Sequence, residues 1–348
     1  QGSNLGEKGP EAGSLEPKND IGKNTRLPIS SLAEVDASAS ALMPWRDPEV
    51  WQMIATGQTR AVHHIESPSM VGLCRRTNVQ DIDTLTAVVS VIRPGAANEN
   101  QKERFTRRYQ GLEKTTYPHP SLKHCLKSTF GLLVYEEQVL QVCEAFAGMP
   151  AGEADGLRRA LGKKSGDLAH EISHHFVSHA KKAGRTHDEI EIVWKFILGF
   201  SGYAFCKAHS AAYALEAFAS AWLKRYYPAP FMASVLSHGK GFYDPLVYVL
   251  ECHQLGLQLL PPCINDPGPA FTVHGETIRV PATRTQHLTD RTIKQLLAER
   301  EQGAFASLAD FYYRVTPSRK ELEALLRTGA FDGFNESRTK TFWRIQWL

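Results

Sequence analysis

Residues 199–214 read GFSGYAFCKAHSAAYA. Gly199, Ser201 and Gly202 break one helix. An aromatic and cationic loop follows (Tyr203, Phe205, Lys207, His209), and an alanine-rich helix starts at about Ser210. Such a loop can bring cations and a hydroxyl to an anion at a helix N-terminus, where unpaired N–H groups and the dipole favour phosphate. A break between two core helices accounts for the glycines equally well, so the reading turns on a second basic element, LRRALGKK at 157–164. There Leu157 and Leu161 face inward and leave Arg158, Arg159, Lys163 and Lys164 to face a partner. The planar fork of arginine binds two phosphate oxygens at once, and lysine acts as a point charge.

A chain of 348 residues, 42% hydrophobic and 22% charged, holds two or three folded domains. No apolar run approaches the length of a membrane span and no signal-like leader opens the chain, so no membrane partner and a cytoplasmic location are expected. Cys74, Cys125, Cys143, Cys206, Cys252 and Cys263 show no CxxC spacing, as reduced thiols would. Beginning at Gln1 and stopping at Leu348, the sequence reads as a piece of something longer. The net charge of +3 says little, but its distribution is uneven. Residues 101–127 carry seven Lys or Arg against two Glu, and residues 156–185 carry seven against two acids, which is +5 in each block. Two such blocks imply a polyanion nearby.

Residues 1–40 are polar and poor in apolar anchors, a disordered tail or linker. A short helix ending at Gly57, a strand over Ala61 to Ile65 and a short helix around Met70 to Cys74 follow. A helix then runs toward Pro94, capped by Asp83 or Thr84. Asp81 and Asp83 would share one face of a strand as metal-binding carboxylates, but the helix that begins at once favours capping. Residues 97–120 read as a basic loop in which Arg104, Arg107, Arg108 and Lys114 alternate with Phe105, Tyr109 and Tyr117. That pattern suits a nucleic-acid backbone or a solvated surface.

From residue 121 the chain is mainly helical, with helices expected at 121–127, 134–147, 152–161, 167–183, 189–200, 210–226, 230–237 and 245–255. Gly148, Gly162, Gly184 and Gly256 are the stops, and Thr186 with Glu189 forms a capping box. On the 210–226 helix, Ala212, Leu215, Ala219, Trp222, Leu223 and Tyr226 form the apolar stripe, with Leu215 set to meet Leu157 and Leu161. His170, His174, His175 and His179 have paired i, i+4 spacing without an HExxH base, so a helical face outweighs zinc. PPCINDPGP reads as a linker, FTVHGETIRVP as a hairpin turning at His274 and Gly275, and 289–300 and 319–327 as two further helices.

Several long motifs, in order, then carry a resemblance: YEEQVLQV (135–142), GEADGLRRALGKK (152–164), GYAFCKAHSAAYA (202–214), AWLKRYYPAPFMASVL (221–236) and LLPPCIN (259–265). They resemble the fingers region of the bacterial DNA polymerase III alpha subunit, the C family of DNA polymerases. IESPSM and VIRPG resemble the end of its palm, and LLRTGAFD the region beyond the fingers, so the likeness covers about Leu42 to Ser337. GFYDPLVYVLECHQLGLQLLPP resembles the error-prone branch.

The resemblance implies a mainly α fold with a small α+β part. It divides the chain into a tail (1–40), the end of the palm with the basic loop (41–120), helical fingers (121–262) and a hairpin with a helix-hairpin-helix-like DNA-binding region (263–348). It implies DNA-directed DNA synthesis with magnesium held by the complete polymerase, primer-template DNA and deoxynucleoside triphosphates as partners, and a sliding clamp and other replisome or repair subunits beyond them. Carried over by position, Arg158, Arg159, Lys163, Lys207, His209 and Ser210 contact the triphosphate. Arg104, Arg107 and Arg108 of the basic loop, with Arg319 and Lys320 of the last region, are the residues expected to meet DNA. The family's third carboxylate position is Thr84 here, beside Asp83, and its palm carboxylate pair lies upstream of anything in this chain. No catalytic residue or metal ligand is therefore assigned, and this stretch alone is expected to be inactive. The alternative is a catalytically degenerate accessory relative that binds DNA. Cys206 and Ala208 replace polar residues of the family loop, and His287 and Thr289 replace the glycines of its helix-hairpin-helix turn.

Overall fold

The computed structural model describes residues 44–92, 96–163, 166–199, 206–239 and 241–348. The expected tail, the aromatic part of the loop at 200–205, and Lys164 lie outside them. The described chain is mainly helical, with one small sheet. Its helices are α1 (Pro48–Ala55), α2 (Pro68–Thr77), α3 (Ile82–Val91), α4 (Ala96–Tyr109), α5 (Lys123–Leu126), α6 (Glu137–Ala147), α7 (Ala151–Lys163), α8 (Gly166–Lys182), α9 (His187–Leu198), α10 (Lys207–Tyr226), α11 (Pro228–His238), α12 (Pro245–Gln254), α13 (Asp290–Gln302), α14 (Leu308–Val315), α15 (Arg319–Thr328) and α16 (Arg338–Trp347). Strands β1 (Gln258–Leu260), β2 (Thr272–His274) and β3 (Thr277–Arg279) form a sheet of order β1-β3-β2. The β2–β3 pair is the expected antiparallel hairpin with Gly275 in its turn at φ 65°. The parallel strand β1 was not expected in the run leading to the linker.

Four buried clusters carry the fold. Helices α1, α2, α3 and α10 share the first, in which the Trp51 and Phe218 rings lie 4.5 Å apart. Helices α6 to α9 close over Phe146 and Phe176 in the second. The sheet packs on α11 and α12 through Met232, Tyr248 and Ile278, and α13 to α16 enclose Phe305, Phe311 and Phe331.

Several local expectations are corrected. No strand forms at 61–65; the segment is a series of turns with Ala61 at φ 66° and His64 at φ 60°. The loop expected at 97–120 is helical as far as Tyr109, and Phe105 and Arg108 are buried on the inner side of α4. Of the residues expected to cap α3, Asp81 does so, accepting the backbone N–H and the hydroxyl of Thr84, both at 2.7 Å, while Asp83 and Thr84 fall inside the first turn. Helix α7 runs through Gly162 to Lys163. Helix α14 was missed, although Leu308, Phe311 and Val315 carry the helical period behind a Ser307 cap.

The stripe on α10 is displaced as well. Its buried face is Ser210, Ala214, Ala217, Phe218, Ala221 and Lys224, while Leu215 and Leu223 stand 40% and 45% exposed. Small residues let α10 lie close against α3, and a serine and a lysine at the two ends disguise the true stripe as the less apolar one. Leu215 therefore does not join Leu157 and Leu161, which sit in the second cluster.

Candidate functional site

The first turn of α6 is the hub. Gln138 is buried there and accepts the backbone N–H groups of Val134 (2.8 Å) and Tyr135 (3.1 Å), while its amide donates to Thr129 and to the Cys125 carbonyl. This fixes Tyr135, Glu136 and Glu137 where α6 begins. Burial, followed by the nearby charges of Asp83 and Glu137, holds the Tyr135 phenol protonated well above its ordinary range.

Glu136 accepts from Arg158 Nη1 on α7 at 2.7 Å, and Arg158 Nε donates to Asp155 at 2.8 Å. Arg159 pairs with the other oxygen of Asp155. The hydrogen bonds from Arg158 and Arg159 hold the Asp155 carboxyl below the usual carboxylate range. Glu137 turns the other way, and both of its oxygens accept the backbone N–H of Lys207, at 2.9 and 3.0 Å, at the start of α10. The Lys207 ammonium lies 5.6 Å from the centroid of the Tyr135 ring, a cation–π distance. The Arg158 guanidinium and the Lys207 backbone N–H, distant in sequence, are thus each held by one of two neighbouring carboxylates.

The other carried-over residues distribute unevenly. His209 is exposed on the first turn of α10, its ring 4.1 Å from that of Tyr213. Ser210 is fully buried, with no hydrogen-bond partner for its hydroxyl among the described residues, so it faces the core rather than a ligand. Lys163 is the last residue of α7. Of the DNA candidates, Arg104 and Arg107 are each about half exposed, near Glu113 and Glu103. Arg319 and Lys320 are exposed on the first turn of α15. Arg108 is not available to DNA: its side chain is 2% exposed and donates to Glu113 (2.8 Å), Thr116 Oγ1 (3.0 Å) and the Phe130 carbonyl (2.8 Å). Among the described residues Glu136, Glu137 and Cys206 could converge on a cation. Both carboxylates are engaged and the third donor is a thiol, so the set does not fit magnesium. The Thr84 position offers only a hydroxyl that already donates to Asp81.

Sequence reasoning missed Glu136 and Glu137, the residues that organise the site. Their signal was an acidic pair at the start of a helix, behind a tyrosine.

In the helix-hairpin-helix-like region, Glu321 on α15 reaches the Thr289 cap of α13. One oxygen accepts the Thr289 N–H and hydroxyl at 2.8 and 2.9 Å, and the other accepts the Ser318 N–H at 2.7 Å. His287 sits at φ 71°, a left-handed conformation that glycine adopts at less cost.

Comparison with known proteins places these elements in a family. The model of the bacterial DNA polymerase III alpha subunit finger domain matches residues 28–184, and a helix-hairpin-helix motif model matches residues 256–341. The chain is 34% identical to DNA polymerase III subunit alpha of Campylobacter jejuni, over 85% of this chain and 25% of that protein. It is 35% identical to the Xylella fastidiosa subunit, over 92% of this chain and 27% of that protein. An error-prone DNA polymerase of Symbiobacterium thermophilum is 32% identical, over 92% of this chain and 33% of its own length. The chain thus spans about a quarter to a third of the length of these relatives. Fingers and helix-hairpin-helix matches in this order, on a mainly helical fold, identify the chain as a member of the bacterial DNA polymerase III alpha-subunit family, the C family of DNA polymerases.

Proposed function

We propose that this chain is the fingers and flanking segment of a cytoplasmic DNA-directed DNA polymerase, and that it binds the triphosphate of the incoming deoxynucleotide and the primer-template backbone. The observation that carries the reading is that adjacent carboxylates, Glu136 and Glu137, hold the Arg158 guanidinium and the Lys207 backbone N–H at the start of α10. Arg158 offers its fork, Lys207 its ammonium and backbone N–H, and His209 a further donor. A triphosphate arriving there would exchange carboxylate partners for phosphate oxygens. Phosphoryl transfer depends on positioning and charge neutralisation, and these groups would stabilise charge developing on the leaving pyrophosphate. Magnesium chemistry belongs to the whole polymerase. Arg104, Arg107, Arg319 and Lys320 would meet the DNA backbone. The proposed division is a tail or linker (1–40), the end of the palm with the basic segment (41–120), fingers (121–262) and a hairpin with a DNA-binding region (263–348).

Thr84 supports a second reading, a DNA-binding accessory relative without chemistry, because its hydroxyl serves the Asp81 cap where the family resemblance calls for a carboxylate. Calorimetric titration with a deoxynucleoside triphosphate tests the first reading. Lys207→Ala should weaken binding by about 10- to 150-fold, the range for losing hydrogen bonds to charged groups. Binding unchanged by that substitution overturns the site.

A further inference from the structure

Where the turn at 59–66 packs along α10, it and the helix bring three nitrogen and oxygen donors together. His63 Nδ1 lies 3.2 Å from Glu216 Oε2, and His64 Nε2 lies 4.0 Å from the same oxygen. One donor atom from each residue falls within 4.8 Å of the other two. We propose that His63, His64 and Glu216 form a binding site for a zinc-class divalent transition-metal ion, with a fourth position open to solvent.

The backbone explains how neighbouring histidines can act together. In an extended strand their side chains would point to opposite faces. Instead His64 adopts φ 60°, and the two rings come to a centroid distance of 3.8 Å. A non-glycine residue in this left-handed region is strained and persists only where its surroundings hold it.

The surroundings do hold it. The His63 N–H donates to Ser220 Oγ at 3.2 Å, and Thr59 Oγ1 donates to the Ile65 carbonyl at 2.7 Å. The buried Lys224 ammonium donates to the Gln58 and Arg60 carbonyls at 3.0 and 2.8 Å. The His64 and Tyr213 rings meet edge to face, 3.7 Å between centroids, and the His209 ring lies 4.1 Å from the same tyrosine.

The donor geometry fits the ion. Zinc bonds of about 2.0–2.2 Å at tetrahedral angles put neighbouring donors roughly 3.3 Å apart; the His63–Glu216 pair at 3.2 Å already meets this, while His64 stands 4.0 Å from the same oxygen and no donor pair exceeds 4.8 Å. Two imidazoles and one carboxylate suit zinc, copper or nickel rather than magnesium or calcium. Three protein ligands with one position left to water is a recognised zinc ligand count, distinct from the closed four-ligand structural sites. His175 and His179 also share a carboxylate, that of Glu153, yet among the described residues they form no such three-donor group. They therefore serve as an internal control.

The test is competition between the whole chain and a chromophoric chelator for zinc, with diethylpyrocarbonate footprinting of the unmodified chain read by mass spectrometry. Zinc should bind at about one equivalent. Glu216→Gln and His63→Ala/His64→Ala should each weaken it at least about tenfold, and His175→Ala/His179→Ala should leave it unchanged. Footprinting needs no substitution to fold, and zinc should protect His63 and His64 from modification. Absence of zinc binding, binding indifferent to the three cluster residues, or protection confined to other histidines would each overturn the site and leave a plain histidine–carboxylate ion pair.

Discussion

The carboxylate of Glu137 accepts the backbone N–H of Lys207 through both of its oxygens, at 2.9 and 3.0 Å, across seventy residues of sequence. It stands where the dipole and free N–H groups of α10 would otherwise receive an external anion, so Glu137 is the internal competitor of the proposed triphosphate. Glu137→Gln keeps the shape and removes the charge. It should tighten triphosphate binding by about fivefold, equivalent to about 1 kcal/mol at a helix N-terminus. Calorimetry checks this, and weaker binding would mean that Glu137 positions Lys207 instead of competing with its ligand.

The arginines of α4 divide by burial. Arg108 ties Glu113, Thr116 and the Phe130 carbonyl together from within the core, so Arg108→Ala should destabilise the fold by about 2–4 kcal/mol by leaving those acceptors unpaired. Arg104→Ala and Arg107→Ala remove half-exposed charges, and each should change stability by less than about 0.5 kcal/mol. If these two meet DNA, each should also lower the slope of log affinity against log salt by about 0.9 on duplex. Urea unfolding and fluorescence anisotropy together separate the roles.

Lys224 is 1% exposed and donates to Glu251 at 2.6 Å, with Arg60 on the second oxygen of that carboxylate at 3.3 Å. Burial pushes the Lys224 ammonium below its ordinary range against the pull of Glu251. Glu251→Gln leaves a buried cation without its counter-charge and should cost about 3–5 kcal/mol, whereas Lys224→Met/Glu251→Leu should recover most of the loss. Chemical denaturation of the three proteins decides it, and equal losses in the single and double variants would refute the pairing argument.

Helix positions were legible because caps, glycine stops and the 3.6-residue period are local signals. Thr186 with Glu189 is a capping box in the sequence and in the fold alike. What escaped depends on tertiary partners. Nothing local distinguishes Arg108 from Arg107, yet one is buried because Glu113, Thr116 and Phe130 fold over it. Lys224 hides the true face of α10 because its cost is met by Glu251 on another helix. The proposed nucleotide site was legible in its cations and illegible in Glu136 and Glu137, because two neighbouring carboxylates that hold a guanidinium and a helix N-terminus gain their meaning only when separate helices converge.

The cap shared by α13 and α15 supplies a test by pH. Burial alone would raise the Glu321 carboxyl, but hydrogen bonds from Thr289, Ser318 and Thr292 outweigh it and lower the group from 4.5 to about 2. A carboxyl depressed in the folded state adds stability that is present above its unfolded value and is lost as pH falls through the folded one. The contribution of Glu321 should therefore be whole above about pH 5 and decline from 4.5 toward 2. Other paired carboxylates titrate nearby, so the informative quantity is the difference in melting temperature between the native chain and Glu321→Gln. That difference should favour the native chain at neutral pH and shrink progressively below pH 4.5. A difference constant from neutral pH down to acid unfolding would show that the Glu321 charge contributes nothing and that only its shape holds Thr289 in place.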